Sequence, residues 1–484
     1  MVDADLHRRS VQFAAPLCLV QRIRETLDKR HALDTNRKIK HGDDRGARVA
    51  LIPSTIPIHE YDDEQLILEH ARETLCLEAG ISGSQYDLVN ASPFRANSSE
   101  STKGVNYHFG VLLRAFEEWF GPRLFDTSED ARTMIISLIE KLSKSYVVYP
   151  PMALFSGGSF PADMWARIFQ DVDERRQKDL YGIIAKTIGV THIAVNAPIP
   201  AFNSDEKAAN YLRRPANIQP LHGDFGDLIT SNPTTIDFES ALWVNAKHDR
   251  IHETWAPLYT MFSRGNIKEK ARILGMVRDK FGGVVPEESA AVDLYAGIGY
   301  FAFGYAKAGM AKVFCWELNP WSVEGFRRGA AANRLTTSIT RGSATDCADP
   351  SVTIEGDEQL LMFEEDNALA AQRIQKARGK IPPVRHVNCG LLPTSEPSWE
   401  QAVRVVDPDL GGWIHAHLNT AEDEIAEKQV YVLGKFRSLA IEILGHDYKA
   451  QCDHVQRVKT FAPGVMHCVM DVRIFRSDPF EVAT

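Results

Sequence analysis

Twelve residues, Ala291-Val-Asp-Leu-Tyr-Ala-Gly-Ile-Gly-Tyr-Phe-Ala302, constrain this chain more than any other stretch. An apolar run ends in Asp293, a turn with Gly297 and Gly299 follows, and a helical pattern begins at Tyr300-Phe301. Glycine is needed in such a turn because a side chain would hold the backbone away from a ligand, and because tight turns often require positive φ. The next apolar run, Lys312 to Trp316, delivers Glu317 at its carboxyl end. An acid there can accept hydrogen bonds from both ribose hydroxyls of a nucleotide lying across the strand ends. Strand, glycine turn, helix, strand and acid in that order predict an α/β, Rossmann-like domain with a parallel-type sheet.

Two cofactor classes fit this spacing. Gly297-Ile-Gly299-Tyr-Phe-Ala302 satisfies G-x-G-x-x-G/A, and Glu317 lies about 20 residues on, as in nicotinamide- or flavin-binding folds. Asp293 just before the turn and Asn319-Pro320 just after the acid favour S-adenosylmethionine. An NAD-dependent oxidoreductase would also need a proton-donating residue in a substrate domain, and none is identifiable. A glycine turn that binds nothing is the plain alternative, and the ordered acid weakens it.

The remaining composition narrows the setting. A chain of 484 residues is too long for one ordinary core and predicts two or three domains. Hydrophobic residues at 44% and charged residues at 25% are the balance of a globular protein. No stretch approaches the roughly 20 apolar residues that span a bilayer, and Met1-Val-Asp-Ala-Asp5 is not a secretory signal. No membrane association is therefore expected. The seven cysteines (Cys18, Cys76, Cys315, Cys347, Cys389, Cys452, Cys468) are scattered without a Cys-x-x-Cys pair. That excludes a zinc-ribbon pattern, argues against a disulfide framework, and points to a reducing, cytoplasmic setting with no metal. Net charge is −9, yet Arg22 to Arg48 is locally basic, as a phosphate-binding or a solvated face would be.

Periodicity divides the chain into three regions. Residues 1–120 form an N-terminal region, a candidate for positioning a nucleic acid. Within it, 11–32 and 63–79 read as helices, 49–52 as a strand stopped by Pro53, and 95–104 as a polar loop. Residues 121–250 read as mixed α+β, with a helix at 129–143 after one at 109–120, and strands at 146–149, 191–195 and 241–245. Residues 251–476 form the Rossmann-like domain, interrupted by a loop at 343–358.

Asp293-Leu-Tyr-Ala-Gly-Ile-Gly299 with Glu317-Leu-Asn-Pro320 resembles the tRNA guanine-N1 methyltransferase and wybutosine-synthesizing protein family, which modifies the purine beside the anticodon. Four more segments carry the likeness: Tyr259 to Lys270, His386 to Glu396, Gly411 to His417 and Arg457 to Gly464. It covers about 255–475 well, and more weakly Pro220 to Asp227 and the N-terminal third. Four collinear motifs carry far more weight than any one alone.

The resemblance implies a class I S-adenosylmethionine-dependent transferase whose cofactor contacts fall on Ser263, Lys270, Glu317 and the pair Asp366-Asn367, joining Asp293, Gly297 and Gly299 of the glycine turn as expected cofactor-binding residues. Asn266 can cap a helix that presents Ser263 and Lys270 to the cofactor's carboxylate, with Glu269 at the third helical position. Asp366-Asn367 can meet the adenine edge, with Gly342-Ser343 as the competing pair. The methyltransferase branch carries an Asn-Pro-Pro-type motif after the fourth strand, whereas this chain has Asn388-Cys-Gly-Leu-Leu-Pro393. Asn388, Gly390 and Leu391 would shape a pocket around a transferred chain larger than methyl. The implied reaction moves the 3-amino-3-carboxypropyl group of S-adenosylmethionine to C7 of 4-demethylwyosine in the anticodon loop of tRNA-Phe, by a monomer. Such a carbon needs little help from a base, and His222, His415 and His417 read as hydrogen-bonded structural residues. Guanine-37-N1 methylation, or tRNA binding without catalysis, are the alternatives.

Overall fold

The computed structural model describes residues 9–16, 40–44, 47–57, 90–95, 105–121, 129–160, 172–196, 218–228, 232–260, 266–341 and 357–477, with isolated positions between them. The chain divides into two compact units, one of residues 1–146 and 158–189, the other of 147–157 and 190–484.

In the first unit, strands β1 (Arg9–Pro16), β2 (Lys40–Asp44), β3 (Ala47–Pro57) and β4 (Asn90–Arg95) form an antiparallel sheet in the order β2-β3-β1-β4. Residues 11–16, predicted to open a helix, are strand. Val11 and Phe13 alternate with Ser10 and Gln12, and Pro16 would have broken a helix interior. Of the predicted helix's later positions, Leu19 is in a 3-10 turn and Ile23 and Leu27 are α-helical. Helices α1 (Val105–Phe120) and α2 (Glu129–Ser143) lie where the pattern places them. Helix α3 (Glu174–Ile188) is closed at both ends, by the Asp173 carboxylate accepting from Arg176 N and by Gly189 at φ 83°.

The second unit opens with a small sheet of β5 (Tyr146–Tyr149), β6 (Met152–Phe155), β7 (His192–Val195) and β8 (Gln219–His222). Strands β9 (Val244–His248) and β10 (Ile251–Trp255) form a hairpin whose turn residues, Asp249 and Arg250, both have positive φ. The predicted strand at 241–245 thus begins three residues later.

The main sheet has eight strands: β11 (Ala290–Asp293), β12 (Lys312–Trp316), β13 (Thr337–Arg341), β14 (Leu360–Glu364), β15 (Val384–Cys389), β16 (Gly412–Ala421), β17 (Tyr448–Ala462) and β18 (Val465–Arg476). Their order is β13-β14-β12-β11-β15-β16-β18-β17. The first six pair in parallel, and the β17–β18 hairpin closes one side antiparallel. Helices α4 (Ile267–Arg278), α5 (Ala302–Lys307), α6 (Pro320–Asn333), α7 (Ala370–Ala377), α8 (Trp399–Val405) and α9 (Ile425–Leu444) accompany it.

Each face of this sheet has its own core. Val292, Phe314, Trp316 and Phe363 pack with α7, α8 and α9 on one side. Ala291, Val313, Cys315 and Met362 pack with α4 and α5 on the other. Strands covered on both faces read as continuous apolar runs, which is why β11, β12 and β14 were legible. No described helix is long and apolar enough to cross a membrane.

Candidate active site

The site lies at the carboxyl ends of β14, β12, β11 and β15. Asp293 ends β11 fully buried, and its Oδ1 accepts from Tyr295 N at 3.3 Å and from Asn388 Nδ2, on the adjacent strand, at 3.2 Å. Its Oδ2 and the Asn388 Oδ1 are buried without a hydrogen-bond partner among the described residues. Burial pushes the Asp293 carboxyl up to about 7. The Asn388 and Tyr295 hydrogen bonds oppose that rise, and the Glu317 charge adds to it.

The glycine turn is shaped by crowding. Gly297 has φ 55° and Gly299 φ 100°, and a Cβ at Gly299 would come within 2.4 Å of the Phe303 ring. Glu317 then locks the turn to β12: its Oε2 accepts from Gly297 N at 2.9 Å and its Oε1 from Asn319 N at 2.8 Å. Burial raises the Glu317 carboxyl, and these N–H donors hold the rise down. Each oxygen keeps a further lone pair, so the acid can also receive ribose hydroxyls. Asn319 caps α6 by accepting from Trp321 N at 3.1 Å, with Pro320 in the first helical turn.

Lys270, on α4, is not a free cation. Its Nζ lies 2.6 and 2.8 Å from the Glu253 carboxylate on β10, with side chains 11% and 2% exposed. The ammonium also sits over Phe262 and Tyr300, 5.1 and 4.7 Å from the ring centres. Burial pulls the lysine down from its ordinary range, and Glu253 supports the charged form. One N–H of the three remains for a ligand. Glu253 went unnoticed in the sequence because its partner is 17 residues away, with no local spacing signal.

Asn266 stands at the N-cap of α4 as expected, but its side chain makes no capping bond. Glu269 is taken instead by Arg272, at 2.9 and 2.6 Å, so the predicted capping box is absent. Ser263 and the pair Gly342-Ser343 lie outside the described residues, as does most of the 343–358 loop. Asp366 follows β14 and accepts from Ala368 N at 2.8 Å, while Asn367 Nδ2 donates to Leu294 O at 2.8 Å, beside the glycine turn.

Beyond Asn388 the chain turns through Gly390 and Leu391, both half-buried, to a cis Leu392-Pro393 bond. A Cβ at Gly390 would meet Asn388 Nδ2 at 3.1 Å and Phe301 at 3.8 Å, so its bareness leaves the amide in place. His415 and His417 are buried on β16, hydrogen-bonded to Asp471 and His467 at 2.6 and 3.1 Å. His222 is half-buried on β8. Among the described residues no group of His, Cys, Asp and Glu could hold a metal ion.

An acid gripping the glycine turn, a buried carboxyl and a paired lysine are thus gathered at the carboxyl ends of neighbouring strands, where α/β folds of this kind bind nucleotides.

Residues 257–374 match the TRM5/TYW2 methyltransferase domain. The chain is 39% identical over 330 residues to tRNA wybutosine-synthesizing protein 2 of Schizosaccharomyces pombe, covering 68% of this chain and 72% of that one. It is 33% identical over 468 residues to tRNA wybutosine-synthesizing protein 2 of Saccharomyces cerevisiae, covering 87% and 93%. The solved Pyrococcus horikoshii TYW2 in complex with MeSAdo aligns with 76% of this chain and all of its own, at 18% identity and TM-score 0.46, too loose a superposition to bear on the site. From its likeness to the two yeast proteins over most of their length, the chain belongs to the tRNA wybutosine-synthesizing protein 2 family.

Proposed function

We propose that the chain transfers the 3-amino-3-carboxypropyl group of S-adenosylmethionine to C7 of 4-demethylwyosine at position 37 of tRNA-Phe. The observation that carries this is the join between β11 and β15. Asp293 and Asn388 share a hydrogen bond where the cofactor half of the sheet meets the next strand, and Asn388-Cys-Gly-Leu-Leu-Pro393 follows in place of a base-clamping Asn-Pro-Pro.

Bound S-adenosylmethionine supplies a sulfonium that activates each of its three attached carbons. The chain's own residues then select among them by position. Glu317 would hold the ribose, Asn367 and Asp366 would face the adenine, and the remaining N–H of Lys270 would reach the carboxylate of the amino-acid arm. Asp293 has an acceptor oxygen left over, suited to that arm's ammonium. Fixing the arm at both its charged ends aims its γ-carbon, rather than the methyl, at the acceptor. Positioning supplies most of the rate, since an electron-rich carbon needs no strong base.

The tRNA would be bound by a monomer in the cytoplasm, with residues 1–120 positioning it and 251–476 carrying the chemistry. The purified protein, given S-adenosylmethionine labelled in the carboxypropyl carbons, should label tRNA-Phe that carries 4-demethylwyosine. Label arriving only from the methyl carbon would establish a methyltransferase instead.

A further inference from the structure

The sheet face that carries Asp293 and Asn388 stays polar as it crosses to β16 and β18. Asp293 is in register with Asn388, and Asn388 with His415. Alternate side chains on a strand share a face, so His415, His417 and Asn419 form a row running toward the carboxyl end of β16. Across the antiparallel pair His415 stands opposite Asp471, and Asn419 opposite His467.

The two ends of this row differ. At the far end His415 bonds His386 at 3.1 Å and Asp471 at 2.6 Å, and Arg272 grips Asp471 at 2.6 and 3.0 Å. Burial alone would raise the Asp471 carboxyl, yet His415 and Arg272 hold it well below the usual range, as in a closed structural ion network. At the near end His417 Nδ1 and His467 Nε2 meet at 3.1 Å. Beyond that contact, His417 Nε2, His467 Nδ1, both amide atoms of Asn419 and the Asn388 Oδ1 are buried with no partner among the described residues. His417, His467 and Asn388 are at most 1% exposed. Native proteins seldom leave buried polar atoms unpaired, and a cluster of them asks for a ligand.

Their place in the fold says which ligand. Asp366, Glu317 and Asp293 mark the cofactor's track along β14, β12 and β11, so the acceptor must approach over the next strands, β15 and β16. The segment after Asn388 folds back on these same residues: Ser395 N donates to His417 O at 3.1 Å, and Asn419 N to Pro393 O at 2.7 Å. Phe301, just past the glycine turn, stands 5.2 Å from the His417 ring.

We propose that His417 and Asn419, with Asn388, form the seat that holds the heteroatom edge of the acceptor base. This rests on the reading that the site alkylates a nucleobase. The edge it fits carries both donors and acceptors. Asn419 offers one of each, Asn388 an acceptor, and His417 Nε2 whichever its tautomer leaves. Burial and the neighbouring His467 hold the His417 imidazole well below its usual range, so it meets the base neutral. These residues touch the acceptor and fix its reacting carbon; they form no bond to it.

The test uses the full chain, tRNA-Phe carrying the acceptor base, and single turnover with enzyme in excess. His417→Leu and Asn419→Leu should each slow transfer about 10- to 100-fold. S-adenosylmethionine affinity should stay within about twofold. The melting temperature of Asn419→Leu should hold or rise, because leucine removes unpaired buried polar atoms, whereas His417→Leu also strands His467 Nε2 and should melt slightly lower. His417→Gln and Asn419→Ser should recover part of the rate. Leucine variants that transfer within about threefold of wild type overturn the seat, as do variants that lose rate only as fast as they lose melting temperature or cofactor affinity. Wild-type protein that alkylates no tRNA base overturns the functional reading and the seat with it. Wild-type transfer with unaffected variants overturns the seat alone.

Discussion

Lys270 and Glu253 form a buried ion pair, with the ammonium 2.6 and 2.8 Å from the two carboxylate oxygens and two aromatic rings against it. The pairing neutralises the buried ammonium and ties the helix α4 to β10. Removing one partner strands the other charge in the interior. Glu253→Gln and Lys270→Met should each destabilise the fold by about 3–5 kcal/mol, and the double variant by less than their sum. Urea denaturation of the four proteins measures this. Additive losses would mean that the pair is not coupled.

Glu317 ties the glycine turn to β12 through two backbone N–H groups, and under the proposed function its remaining lone pairs receive the ribose. Glu317→Ala should weaken S-adenosylmethionine binding by about 1–3 kcal/mol in calorimetric titration. An unchanged affinity would put the ribose elsewhere.

Gly299 combines φ 100° with a would-be Cβ 2.4 Å from Phe303. Gly299→Ala must move the ring or the turn, and should cost about 1–3 kcal/mol of stability. The loss of cofactor affinity should exceed that of Gly304→Ala, where a Cβ meets nothing within 4 Å.

Asp293 gives a pH signature. Its carboxyl stands at about 7 in the folded chain against an ordinary 3.8. Between those values the folded state holds a proton that the unfolded state has released. Its contribution to stability is therefore complete below about pH 4 and lost as pH rises through about 7. Asp293→Asn should flatten the stability profile over that window by about 2–4 kcal/mol relative to wild type. Parallel profiles for the two proteins would place the Asp293 carboxyl in its ordinary range.

Local features were legible in the sequence and distant pairings were not. The turn from Asp293 to Gly299, the acid at Glu317 and the Asn319-Pro320 helix start depend on neighbours in the chain, and each lies where the spacing puts it. The helical spacing of Leu19, Val20, Ile23 and Leu27 begins after Pro16, and the residues up to that proline, which lack it, pair as β1. Arg272 and Asp471 are 199 residues apart and meet through the fold alone, and Glu253 has no motif to announce it. The capping box at Asn266 failed because a nearby arginine outcompeted the backbone for Glu269.

Mass spectrometry of the nucleoside at position 37, after reaction of the purified protein with tRNA-Phe carrying 4-demethylwyosine, tests the central claim most directly. Holding the amino-acid arm in line with the base predicts a gain of about 101 mass units. A gain of about 14, the mark of a methyl group, would contradict it.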